Sequence, residues 1–116
     1  MQIITKRVYD AAEKREGLRI LVDRLWPRGV KKEEARIDEW FKELAPSREL
    51  RRWFSHDSKK WVEFRKRYFK ELKDQERLIE TILENAKNQP IVLVYAAKEE
   101  SYNNAIALKE YLEKRA

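Results

Sequence analysis

The chain has no cysteine, one histidine, two glycines, three prolines and one methionine among its 116 residues. Without cysteine there can be no disulfide and no Cys-ligated zinc. One histidine without cysteine does not make the usual transition-metal site, so no metal and no cofactor is expected. Gly-rich phosphate loops and the Gly-x-Ser-x-Gly elbow are missing as well. No apolar run approaches the roughly 20 residues that cross a bilayer, so no membrane partner is expected. The start, Met1 to Lys6, is strand-like and lacks a signal peptide's layout, which makes a cytoplasmic location the expectation. No internal repeat or low-complexity tract is present.

Charge is what the chain has in quantity. Lys and Arg number 27 against 21 Asp and Glu, and 41% of residues are charged. Dense Glu, Lys and Arg with few flexible or thermolabile residues resembles a thermophile's composition. The net charge of +6 favours polyanions over cations as partners. With 42% hydrophobic residues the chain can bury a core, and its length suits a single domain spanning 1–116.

Apolar periodicity gives the element order. Residues 2–9 form a first strand, followed by a polar loop or short helical turn from Asp10 to Gly17. Leu18 to Asp23 is a second strand, apolar at Ile20, Leu21 and Val22, and suits a sheet covered on both faces. Ile37, Trp40, Phe41 and Leu44, at three- and four-residue spacing, predict an amphipathic helix over about 32–45. Ser47 is a good N-cap for a short helix that carries Leu50, Trp53 and Phe54. Ser55 to Ser58 breaks it, and Asp57 or Ser58 caps the next helix. Two helices, about 59–73 and 75–87, carry Trp61, Phe64, Tyr68 and Leu72, then Ile79, Ile82, Leu83 and Ala86, with Asp74 as a candidate cap. Ile91 to Tyr95 is the strongest strand and is expected to be central. A last helix spans about 103–114. The order predicts an α/β fold: a small, layered single domain with a short, mostly parallel sheet flanked by helices.

In such folds, sites gather at the carboxyl ends of the strands. The turn Asp23-Arg24-Leu25-Trp26-Pro27-Arg28-Gly29 leaves one strong strand, and Ala96 to Asn104 leaves the other. Two guanidinium groups beside an indole suit an anion with a flat or apolar part, because guanidinium pairs bidentately with carboxylate or phosphate. Arg24, Arg28, Trp26 and Lys98 are therefore candidate ligand-binding residues, with Asn103 to orient a polar group. The alternative is that the arginines brace the turn through Asp23, and that Asn103 or Asn104 is a plain N-cap. His56 beside Asp57 offers a general acid or base with Asp23 or Asp57 as its partner; a loop histidine at a helix end is the plainer reading. Basic residues from Arg48 to Lys70, interleaved with Trp53, Trp61, Phe64 and Tyr68, can hold nucleic acid. The aromatics, however, recur at helical spacing as core residues do.

The same residues resemble a family. Leu21 to Gly29 is similar to the hallmark of the YeaO-like branch of the domain-of-unknown-function 488 family. Trp40 with Lys42 to Ser47 is similar to its middle motif. Leu50-Arg51, Trp53-Phe54, His56-Asp57, Trp61, Phe64 and Tyr68 match the next, and Tyr95 to Lys98 with Asn103, Ala105 and Leu108 match the last. The resemblance covers nearly the whole chain. It implies a compact cytoplasmic α/β domain and no established reaction. Glu99 stands where relatives commonly have Asp, and Tyr102 where they commonly have His, which weakens a catalytic reading. The expected function is binding of an anionic small molecule at the carboxyl edge of the sheet. Catalysis through His56 and nucleic-acid binding by the 48–70 face are the alternatives.

Overall fold

Five residues near the end of the chain, Ile91–Tyr95 (β4), are all buried, and every other part of the sheet is arranged around them. The computed structural model describes residues 1–10 and 16–116; most of the polar stretch between Asp10 and Gly17 lies outside the described residues. β4 pairs on one side with Ile3–Arg7 (β1) and on the other with Leu18–Leu21 (β2), which in turn pairs with Glu39–Trp40 (β3). All pairings are parallel, in the order β1-β4-β2-β3. In the register, Ile3 and Leu18 lie opposite Ile91, and Arg7 lies opposite Tyr95.

The unbroken apolar run of β4 follows from having protein on both faces. Ile20, Val22, Ile91, Leu93 and Tyr95 face the larger core. That core is completed by Arg48–Phe54 (α2), Trp61–Leu72 (α3), Glu76–Ala86 (α4) and Asn104–Arg115 (α5). Leu21, Val92 and Val94 face a smaller core closed by Val8, Ala35 and the partly buried Trp26, Val30 and Ile37. The fold is thus a single-domain α/β layer structure, as the element order predicts.

Ser47 caps α2 by accepting from the Leu50 amide at 3.1 Å. Its own N–H and O–H donate to the Glu71 carboxylate at 2.8 and 2.6 Å, which ties the start of α2 to α3. A turn of 3-10 helix, Lys73–Gln75, separates α3 from α4, so the apolar stripe does belong to two helices. Asp74 makes no capping bond there.

The helix predicted over 32–45 does not form. One α-helical turn, Lys32–Ala35 (α1), ends at Arg36 in the left-handed region, and the chain then enters β3 and a 3-10 turn, Lys42–Leu44. The spacing misleads because the apolar residues serve different cores: Ile37 packs on the smaller one, Phe41 and Leu44 on the larger. Pairing with β2 wins instead. The Asp38 amide donates to the Arg19 carbonyl at 2.9 Å, and the Asp38 carboxylate accepts from the Arg19 amide at 2.8 Å. The buried Arg19 guanidinium then donates twice to the Ala35 carbonyl, at 2.9 and 3.2 Å, satisfying the end of α1.

Gly17 precedes β2 with φ of 154°, and a Cβ there would lie 2.2 Å from the Pro90 carbonyl oxygen. That oxygen also accepts from the Leu18 amide, so it cannot move away without breaking the start of the β2–β4 ladder. Gly17→Ala is therefore expected to destabilise the protein by about 2 kcal/mol or more. A denaturant midpoint equal to wild type would contradict this.

Candidate functional site

The carboxyl ends of β2 and β4 lie side by side, and a cleft of about 530 Å³ opens above them. Val22 still donates to the Val94 carbonyl at 3.1 Å, so Asp23 is the first residue to leave the ladder. The Asp23 side chain accepts from the Ala96 amide at 2.9 Å and from Asn104 Nδ2 at 3.2 Å. It therefore joins the ends of both strands to the first residue of α5. Its backbone carbonyl accepts from Trp40 Nε1 at 2.7 Å.

Burial pushes the Asp23 carboxyl above its ordinary value, outweighing the lowering effect of the Ala96 N–H, the Asn104 amide and the Arg51 charge. Nearby, Tyr68 is fully buried and donates its hydroxyl to the Leu44 carbonyl at 2.5 Å. Burial, with the Asp23 and Glu71 carboxylates, raises that hydroxyl far above the usual tyrosine range, so it stays protonated as a donor.

The turn after Asp23 is held by two indoles. Trp26 Nε1 donates to the Val30 carbonyl at 2.7 Å, and the Trp26 and Trp40 rings meet edge to face at 5.6 Å. Gly29, with φ of 76°, lets the chain turn back. Trp40 is 36% exposed. It works as a staple on the Asp23–Gly29 turn rather than as a core residue of a helix.

Of the residues predicted for the site, Asp23, Arg24, Trp26, Arg28, His56 and Asn103 all line this one cleft. Lys98 and Asp57 do not. Lys98 is exposed on the loop beyond β4. Asp57 caps the 3-10 turn Ser58–Lys60 by accepting from the Lys59 amide at 3.0 Å. Asn103 is the N-cap of α5: its Oδ1 accepts from the Ile106 amide at 3.0 Å and its Nδ2 donates to the Glu99 carbonyl at 2.8 Å. The cap reading of Asn103 is thus realised, and both ends of its amide are engaged. His56 is exposed, with φ of 57°, next to Ser55, which is also left-handed.

The cleft contains residues that sequence reasoning does not assign to it. Arg51 comes from α2, and the sequence pattern places it only in a basic face; nothing local signals that α2 packs beside the β2 turn. Asn104 reads from sequence as a cap or a neighbour of the site. Phe54 and Phe64, 4.4 Å apart between ring centres, form part of the floor, and Tyr102 stands at the rim edge-on to Trp61 at 5.5 Å. Arg24, Arg28 and Arg51 are all exposed, and none forms an ion pair among the described residues. Arg24 reaches the Pro46 carbonyl at 3.5 Å, at the limit of a hydrogen bond.

Comparison with known proteins gives a consistent assignment. The family model described as the inactive DUF488-N3 subclade matches residues 2–116. The chain is 46% identical over 112 residues to the uncharacterized protein YeaO of Escherichia coli (strain K12), covering 97% of each chain. It is 45% identical over 74 residues to the uncharacterized protein Rv3073c of Mycobacterium tuberculosis (strain ATCC 25618 / H37Rv), covering 64% of this chain and 63% of that one. No solved structure matches it.

Because folding raises the Asp23 pKa, the folded state holds that proton more tightly than the unfolded chain does. Its contribution to stability is full below the ordinary carboxylate value near 3.8 and is lost as pH rises through the folded value. The stability difference between wild type and Asp23→Asn is therefore expected to shift against wild type as pH rises from about 4. A difference that stays flat with pH in urea titrations would contradict it. Asp23→Ala, which leaves the Ala96 amide without its acceptor and the Asn104 amide with only the Val22 carbonyl, is expected to cost about 2 kcal/mol or more.

Proposed function

We propose that this chain, which belongs to the inactive DUF488-N3 subclade, is a binding protein for a phosphate- or carboxylate-bearing small molecule, not a catalyst. The support is the set of three arginines in one cleft. Arg24, Arg28 and Arg51 line it without an ion pair among the described residues, Arg51 acting on Asp23 only through its charge, whereas Arg65, Arg67 and Arg115 are each paired with a glutamate. An unpaired guanidinium fork is suited to bidentate recognition of an anion. Trp26 supplies a wall. The only acidic residue on the cleft among the described residues, Asp23, has its carboxylate turned to the Ala96 and Asn104 donors.

A catalytic reading has less behind it. His56 lines the cleft, but among the described residues no carboxylate bonds to it, and Asp57 is engaged in its own cap. Tyr102 stands where the family resemblance leads one to expect a second histidine. The subclade is itself described as inactive.

A thermal unfolding scan with inorganic phosphate, sugar phosphates and nucleotides tests the binding reading. A ligand that binds only the folded state adds about 2.7 kcal/mol at a hundredfold excess over its dissociation constant. The expected result is a shift in wild type that Arg28→Ala loses while keeping its unliganded stability within about 0.5 kcal/mol. A shift of equal size in both proteins would remove Arg28 from the site. No shift in wild type with any of these anions would count against the reading as a whole.

One observation favours a second, independent activity. A groove of about 470 Å³ between α3 and α5 is lined by Lys66, Arg67, Lys70, Lys73, Lys114 and Arg115, together with Glu63, around Phe69 and Tyr111. Arg67, Lys114 and Arg115 are each paired with a glutamate, so Lys66, Lys70 and Lys73 carry the reading. Binding of single-stranded nucleic acid there would weaken steeply with salt, because each neutralised phosphate releases counterions. Lys70→Glu with Lys73→Glu is expected to abolish a retained single-stranded RNA band in a low-salt mobility assay. Binding that is undetectable at low salt, or insensitive to salt, sinks this second reading.

A further inference from the structure

The cleft says more about its ligand than the sign of its charge. Its size, its apolar walls and one fixed acceptor narrow the ligand's class, provided that the anion-binding reading above holds.

Size comes first. A cleft of about 530 Å³ lies within the range that holds organic cofactors and drug-sized molecules. It has room for on the order of fifteen water molecules, far more than inorganic phosphate displaces. The arginines account for one part of the wall. Much of the rest is apolar and flat: Trp26 and Pro27 on the β2 turn, Phe54 and Phe64 in the floor, Leu25 and Tyr102 at the rim. Leu25 is 71% exposed and Tyr102 39%, so both present apolar surface at the mouth of the cleft.

A polar marker sits beside this apolar surface. Asn104 Nδ2 donates to two oxygens, the Val22 carbonyl at 3.0 Å and Asp23 Oδ1 at 3.2 Å. Both partners are acceptors, so the network itself sets which end of the amide is nitrogen. Asn104 lines the cleft, and its Oδ1 accepts from no donor among the described residues. The neighbouring Asn103 differs, since both ends of its amide are engaged in capping. An acceptor held rigidly by two bonds, next to flat apolar walls, selects for a ligand with an N–H or O–H on its body.

We propose that the cleft takes an organic anion whose flat, aromatic body carries a hydrogen-bond donor. The anion lies on Arg24, Arg28 and Arg51, the body against Trp26 and the Phe54–Phe64 floor, and the donor on Asn104 Oδ1. Leu25 and Tyr102 close over the body from the rim. Inorganic phosphate then binds weakly, because it engages only the arginines.

Calorimetric titration at low salt with four probes tests this: inorganic phosphate, phenyl phosphate, 4-methylphenyl phosphate and 4-aminophenyl phosphate. Phenyl phosphate is expected to bind roughly tenfold more tightly than inorganic phosphate, from the apolar area it buries. The amino compound is expected to gain a further factor of roughly five over its methyl counterpart of the same size, from one hydrogen bond. In Asn104→Ala the second gain disappears and the first remains. Should that variant fail to fold, the methyl–amino comparison in wild type decides alone. Arg28→Ala weakens all four.

Equal affinity for inorganic and phenyl phosphate, with Arg28→Ala weakening both, overturns the aromatic-body inference and leaves the anion site standing. Equal affinity for the methyl and amino compounds overturns the donor-selecting role of Asn104. No binding of any probe to wild type removes the anion reading and this inference together.

Discussion

One carboxylate holds the working end of the molecule together. Asp23 accepts from the backbone beyond β4 and from the first residue of α5, and its own carbonyl takes the Trp40 indole N–H. Strand ends in a parallel sheet diverge into loops, and nothing in the ladder itself keeps neighbouring exits in register. Here a side chain does it. The cost is that a carboxyl group sits in a desolvated place, and its pKa rises accordingly. The three arginines of the cleft form no ion pair among the described residues, and the one acid that lines it with them accepts from Ala96 and Asn104.

This arrangement also separates two kinds of electrostatics in the chain. Several ion pairs of the outer surface, such as Arg67 with Glu63 and Lys109 with Glu113, join side chains one helical turn apart, while Arg65 with Glu110 and Arg115 with Glu76 bridge helices. Pairs of that kind contribute little individually. The interactions that shape the cleft are hydrogen bonds between partly buried groups: Asp23 with Ala96, Asn104 with Val22, Trp26 with Val30. A large charge content therefore does not mean that charge pairs hold the site.

Much of this is legible without coordinates. Ile91 to Tyr95 declares itself as a central strand because every residue in it is apolar, and five such residues in a row fit only a sheet covered on both faces. The Asp23–Gly29 turn is legible as the candidate site for the same reason, since it leaves the second such strand. Local pattern fails in the region from Ile37 to Leu44. Its apolar residues divide between two cores on opposite sides of the sheet, and a single-face periodicity cannot express that division. Nor can it show Arg51, which reaches the cleft only because Ser47 and Glu71 fix where α2 starts. Lys98 follows the strand in sequence but lies outside the cleft, so chain proximity overestimates its role. Asn103 and Asn104 are adjacent and chemically identical, yet one is consumed by capping and the other presents an acceptor. Only the hydrogen-bond network tells them apart.

The position of β4 in the sheet has a consequence for how the protein comes into being. β1 has β4 as its one partner in the sheet, and β2 meets its longer partner there too. Ile3 pairs with Ile91, so β1 has no strand partner until that distant segment has been made. Contacts between segments so remote close slowly, because the intervening loop must lose its freedom first. Until residues 91–95 are made, Ile3 and Ile4 lack the strand they pair with. β2 and β3 can pair without β4, but both ladders that β4 carries, and the cleft above the ends of β2 and β4, require that late strand and the residues of α5 that follow it.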